Sequence, residues 1–137
     1  MKVLLTGCAG FIGSNLLDHF LLQNNIIVIG IDNFSTGKKK HLSAHLKNPN
    51  FTFYELDLKN KDALINLNLI NIDIIIHLAA NADVRFGLLH PSKDLEENTI
   101  VTFNLLEFAR IMGIFPVFKS RIIQFLVGSC SSKTHQS

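Results

Sequence analysis

Three glycines, Gly7, Gly10 and Gly13, stand at GxxGxxG spacing between an apolar run, Val3–Leu5 with Thr6, and an amphipathic stretch, FIGSNLLDHFLL. Strand, glycine turn and helix start in that order can hold a pyrophosphate, because a helix N-terminus offers unpaired N–H groups and a partial positive charge. Gly7 lets the chain turn as it leaves the strand. Gly10 lets the backbone come close to the phosphates, and Gly13 lets the helix pack against the sheet. The same spacing also suits a turn that holds nothing; the clear patterns on either side favour a ligand. Asp32 ends the next apolar run, 19 residues after Gly13. An acid there accepts hydrogen bonds from an adenosine ribose and repels a 2′-phosphate, by roughly 4 kcal/mol per charge pair at about 4 Å and an effective dielectric of about 20. NAD is therefore expected rather than NADP, unless Lys38, Lys39 and Lys40 fold back to soften the charge. The simpler reading of Asp32 is a turn residue before Asn33.

These residues need a scaffold, and the hydrophobic pattern supplies one. Near-continuous apolar runs at Val3–Thr6, Ile26–Ile31, Phe51–Leu56, Asp73–Leu78 and Ile122–Val127 read as strands covered on both faces. Helical patterns lie between them. The first puts Ile12, Leu16 and Phe20 on one face with Leu17 and Leu21 beside it. The second, Lys39–Leu46, is short, and the third, Lys61–Leu67, is weak. The fourth runs from Ser92 to Met112, started by Pro91 and stopped by Gly113, with Leu95, Thr99, Thr102, Leu106 and Ala109 as its buried stripe. The alternation predicts an α/β, Rossmann-type doubly wound parallel sheet of order 3-2-1-4-5. One domain is expected over 1–132, with a frayed tail at 133–137.

Composition narrows the partners. A net charge of +2 gives no electrostatic case for nucleic acid or an anionic membrane. The glycines break the early apolar run, so no targeting segment is expected, and no stretch is long enough for a membrane helix. Cys8 and Cys130 match no metal-ligand spacing, which suggests reduced thiols and a cytoplasmic location. Cys8 lies in the glycine loop, where a helix N-terminus could lower its pKa, but it reads more simply as loop filler. His77, at the end of a buried strand, reads as a packed, hydrogen-bonded histidine rather than a base. Phe103, Phe108 and Phe115 read as core or interface.

Taken together, TGCAGFIGSNLLDHFL, IDNFSTG, LDLKN, IIIHLAANADVRFG and HPSKDLEENTIVTFNLLEFAR resemble the extended short-chain dehydrogenase/reductase family. The likeness is to its NAD-dependent epimerases and dehydratases of nucleotide sugars, of the UDP-glucose 4-epimerase type. It is strong over 1–113 and looser over 120–132. It implies that Gly7, Gly10 and Gly13, with Phe11 and Ile12, hold the pyrophosphate. Asp32 and Asn33 would bind the adenosine ribose, with Ser35, Thr36 and Gly37 nearby. Asp57 and Leu58 would meet the adenine edge, though on spacing alone they suit a strand-end turn. Leu78, Ala79 and Ala80 would let the chain pass close to the cofactor. Asn98 would stand near the nicotinamide end, though it also suits a helix surface. The helix Ser92–Met112 would form a homodimer contact.

The family pattern then calls for a Ser/Thr after the fifth strand, and a Tyr and a Lys spaced YxxxK. Ser131, among Ser129, Ser131 and Ser132, matches the first best. Neither Thr134 nor His135 is a Tyr, Lys133 comes too early, and Tyr54 is the sole tyrosine. The resemblance thus implies the N-terminal, cofactor-binding portion of such an enzyme, catalytically incomplete, with a nucleotide-sugar substrate only if the C-terminal region completes it. The alternative is a non-catalytic NAD(H)-binding module, or a subunit completed by another chain.

Overall fold

The computed structural model describes residues 1–81, 83 and 88–114, and the backbone of 121–124. Five parallel strands form one sheet: β1 (Lys2–Thr6), β2 (Ile27–Asp32), β3 (Phe51–Glu55), β4 (Ile74–His77) and β5 (Arg121–Gln124). Their order is β3-β2-β1-β4-β5, as the alternation predicts. β1 lies between β2 and β4, with Thr6 opposite Ile31 on one side and His77 on the other. The C-terminal ends of β1, β2 and β4 therefore meet along one edge.

The strands β1, β2 and β4 are mainly apolar because each packs against two cores. Val3 and Leu5 of β1, Val28 of β2 and Ile76 of β4 pack with Leu17 on one face. Leu4, Ile29, Ile31 and Ile75 pack on the other with Leu64, Leu105 and Phe108. The first face is covered by α1 (Phe11–Leu21), the second by α2 (Lys61–Asn66) and α4 (Val101–Ile111). Asn60 caps α2, its side chain accepting the Ala63 N–H at 3.0 Å.

Three elements differ from the sequence reading. In α1 the buried residues are Gly13, Ser14 and Leu17, and Ile12 is exposed, because the helix starts tight against the glycine loop. Lys39–Leu46 forms only a 3₁₀ turn, Lys39–His41, with further turns after it. Leu42 is its one buried side chain, so no apolar stripe drives a longer helix.

The long helix is composite. α3 (Pro91–Asp94) leads into a π turn, Leu95–Ile100, and then α4. The wider turn rotates α4 about the helix axis, so the buried face is Val101, Asn104, Leu105, Phe108 and Ala109, while Leu95 and Leu106 are exposed. Gly113 ends it as expected: its N–H reaches the Arg110 carbonyl at 3.3 Å, and the Ile114 N–H reaches Ala109 at 2.8 Å. Phe108 is core and Phe103 is exposed. Phe115, Pro116, Phe118, Cys130, the serines 129, 131 and 132, and the tail 133–137 lie outside the described residues.

Candidate functional site

The turn after β1 is built by close backbone contact. Gly7 has φ +71°, and a Cβ there would lie 2.7 Å from the Ala79 nitrogen and the Leu78 carbonyl carbon. Any side chain would therefore collide with the strand end of β4. A Cβ on Gly13 would run into the Gly7 carbonyl oxygen. The close approach at Gly13 is thus to the loop's own backbone rather than to the sheet at large. The first intrahelical bond of α1 is Ser14 N–H to the Gly10 carbonyl at 2.9 Å, so the N–H groups of Phe11, Ile12 and Gly13 precede it. This turn carries no acidic residue and no side-chain cap. That leaves it electrostatically open to an anion.

Asp32 is buried at the end of β2 and does two structural jobs. Its Oδ2 accepts the Ala9 N–H at 2.9 Å and its Oδ1 accepts the Phe34 N–H at 2.8 Å. Asn33 Oδ1 accepts the Ser35 N–H at 3.0 Å, shaping the next turn. Phe34 itself sits at φ +57°, a conformation that non-glycine residues seldom take. Its ring packs on Phe53, and Lys39 Nζ lies 5.1 Å from the ring centroid. Lys39 also pairs with Glu55, the strand neighbour of Asp32, at 3.5 Å.

The loop beyond is fastened to the glycine turn. The Ala9 carbonyl accepts from the Lys38 N–H at 3.1 Å and from the His41 ring Nδ1 at 2.8 Å. A Cβ on Gly37 would lie 2.8 Å from the Ala9 Cβ. His45 pairs with Asp18 of α1. Nothing in the sequence pattern marks His41 for this role, since its partner is 32 residues away.

Asp57 follows β3, its Oδ1 accepting the Lys59 N–H at 2.9 Å and its Oδ2 lying 3.7 Å from Lys59 Nζ. The carbonyls of Leu58 and Lys59 both accept from Asn104 Nδ2, at 2.9 and 3.1 Å. Asn104 is buried in α4 and fixes this loop from beneath.

These ends line one cleft that is open to solvent. Of the residues singled out from sequence, Gly7, Gly10, Asp32, Asn33, Ser35, Thr36, Asp57, Leu58, Leu78, Ala79 and Ala80 line it. Phe11, Ile12, Gly13 and Gly37 stand beside the lining, Phe11 being almost fully exposed. Asn98 also stands beside it. Its Oδ1 accepts the Asn81 N–H at 2.8 Å and its Nδ2 donates to Asp94 at 2.7 Å. Ile31, Leu56, Lys59, Glu97 and Val101 complete the lining. Glu97 and Val101 are four residues apart, a spacing that already puts them on one face of a helix.

Two titratable groups are silenced by burial. Burial, reinforced by the Asp32 charge, pushes the Cys8 thiol up to about 12, which overrides any help from the helix N-terminus. Burial lowers the His77 ring to about 4. His77 bonds Thr6 Oγ1 at 2.6 Å and Thr102 Oγ1 at 3.1 Å, which makes it the packed histidine the sequence suggests.

Residues 3–132 match the model of the NAD dependent epimerase/dehydratase family. The chain belongs to that family. A putative UDP-glucose 4-epimerase of Methanocaldococcus jannaschii is 38% identical over 108 residues, which is 79% of this chain and 33% of the relative. The solved UDP-glucose 4-epimerase of Thermotoga maritima with UDP-glucose superposes with a TM-score of 0.72 at 36% identity, over 82% of this chain and 35% of that one. The Thermus thermophilus UDP-glucose 4-epimerase in complex with NAD gives 0.71 at 32% identity, over 83% and 35%. The chain spans about a third of the length of these relatives. The family's cofactor is NAD, and the cleft suits a dinucleotide: glycine backbone where a Cβ would collide, an acid-free helix start, and carboxylates at the ends of β2 and β3. Among the described residues, no helix is long and apolar enough to cross a membrane.

Proposed function

We propose that this chain binds NAD as the cofactor-holding part of a nucleotide-sugar epimerase or dehydratase, and does not complete the reaction by itself. The observation that carries this reading is the convergence of Gly7, Asp32 and Asp57 on one cleft, at the C-terminal ends of three neighbouring parallel strands. In an open parallel sheet that is where a dinucleotide lies. The backbone from Gly7 to Gly13, with the N–H groups of Phe11 and Ile12, takes the pyrophosphate. Asp32 and Asn33 take the adenosine ribose, with Ser35, Thr36 and Gly37 closing the turn. Asp57 and Leu58 meet the adenine edge, Leu78 to Ala80 admit the cofactor closely, and Asn98 serves the nicotinamide end.

NAD, when bound, supplies a hydride acceptor for a sugar carbon. The protein must also move a proton on the sugar hydroxyl. Ser131 is the proposed group for holding the substrate oxygen. The sole tyrosine, Tyr54, packs against the core from edge strand β3 and does not line the cleft. This supports cofactor binding without turnover. The free Cys8 thiol suits a cytoplasmic setting. Calorimetric titration of the purified chain should show NAD binding more tightly than NADP. Incubation with NAD and UDP-galactose should give no epimer. Tighter NADP binding, or clear turnover, would sink the respective part of the proposal.

A homodimer through the helix Ser92–Met112 is supported by the apolar side chains left exposed there, Leu95, Ile100, Phe103 and Leu106. Sedimentation of the chain and of Phe103→Glu tests it. A dimer that the substitution splits is the expected result, and identical sedimentation of the two chains rejects it.

A further inference from the structure

One buried ring connects the two cleft walls that face the glycine turn. Thr102 Oγ1 donates its proton to the Asn98 carbonyl at 2.6 Å, so towards His77 it can only accept. The proton of the imidazole therefore sits on Nε2. Nδ1 is left bare and accepts the Thr6 hydroxyl at 2.6 Å. Thr6 Oγ1 in turn accepts the Ala79 N–H at 3.4 Å. At the far end, the π turn Leu95–Ile100 carries Asn98, whose Oδ1 accepts the Asn81 N–H. Every proton along this path has one direction. Ala79 lines the cleft on the β4 side, and Glu97, next to Asn98, lines it on the helix side.

We propose that His77 is a positioning residue: held as the Nε2–H tautomer between Thr6 and Thr102, it fixes the segment Ala79–Asn81 against the π turn and so sets the width of the cofactor cleft. The step from cleft width to cofactor affinity rests on the proposed dinucleotide binding; the tautomer and the Asn81 contact do not. A neutral ring is required, and burial provides it. The π turn also gains a reason. Such turns recur at functional sites, and here one brings Asn98 to Asn81 while Thr102 still reaches His77.

Three measurements on the full 137-residue chain test this. The ¹⁵N shifts of the His77 ring should show a bare Nδ1 and a protonated Nε2; the opposite tautomer overturns the proposal without any variant. Thr102→Val keeps the shape of the side chain and removes its hydroxyl. It should speed amide exchange at Asn81 and weaken NADH binding, each by about tenfold, the scale of one lost hydrogen bond. Thr102→Ser should restore both. A folded Thr102→Val chain with wild-type Asn81 exchange overturns the proposal. If the wild-type chain fails to bind NADH, the dinucleotide reading falls, while tautomer and exchange still decide the relay.

Discussion

Asp32 Oδ2 accepts the Ala9 N–H at 2.9 Å, so the acid at the end of β2 is part of the glycine turn after β1. The carboxylate has two oxygens and both receive a backbone N–H. Asp32→Asn would place an amide NH₂ against one of these donors. Leaving a buried donor unsatisfied costs about 1–3 kcal/mol. The variant should melt at lower temperature. Its NAD affinity should also fall, because the turn is disturbed and the proposed ribose acceptor loses its charge and one acceptor oxygen. An unchanged melting curve would show that the turn does not depend on the carboxylate.

Asn104 offers a cleaner separation of fold from binding. It lines no part of the cleft, yet its amide holds the carbonyls of Leu58 and Lys59. Asn104→Ala removes both bonds and leaves a small void, with an expected loss of about 1–3 kcal/mol by chemical denaturation. If the Asp57–Leu58 loop meets adenine, AMP binding should weaken along with NAD binding. Weaker NAD binding with AMP unaffected would place adenine elsewhere.

The middle of the sheet was legible because β1, β2 and β4 are buried on both faces. Val3, Leu4 and Leu5 point alternately into two cores, so no polar residue interrupts the run. Gly7 and Asp32 were legible for a related reason: each comes just after or at the end of a strand that the apolar pattern marks, whereas Asp57 was marked only by the family resemblance. Glu97 and Val101 were hidden because the apolar pattern of this helix suggests a different buried face from the one that packs. The bonds around the π turn run from Asn98 to Asn81 and from Thr102 to His77, between segments far apart in sequence. His41 was hidden likewise, since a loop histidine aimed at a distant carbonyl leaves no local pattern. Cys8 reads from sequence as loop filler, and its burial agrees, although the sequence shows only its nearness to a helix start and not how completely it is buried.

That burial makes the Cys8 thiol inert. With its pKa pushed up to about 12, roughly one thiol in ten thousand is ionised at pH 8. A Cys130→Ser chain isolates its signal. Labelling by a thiol reagent should be slow in buffer and fast in denaturant. Fast labelling of the folded chain would contradict the packing under the glycine turn.

The buried His77 makes stability depend on pH in a definite direction. Its ring titrates near 6.5 when the chain is unfolded and at about 4 in the fold. The unfolded chain therefore takes up a proton first as pH falls. The stability held by the neutral ring is complete above about 6.5, declines between there and about 4, and is lost below that. The difference in pKa corresponds to about 3 kcal/mol. Both hydrogen-bond partners of the ring are threonine hydroxyls, so no charged partner there offsets the effect. His77→Gln keeps a donor and an acceptor without the titration. Denaturation of the two chains from pH 7.5 to 4 should give curves that converge as pH falls, because only the wild type loses this contribution. Parallel curves would mean that the ring is not buried neutral, and would remove the basis for its single tautomer.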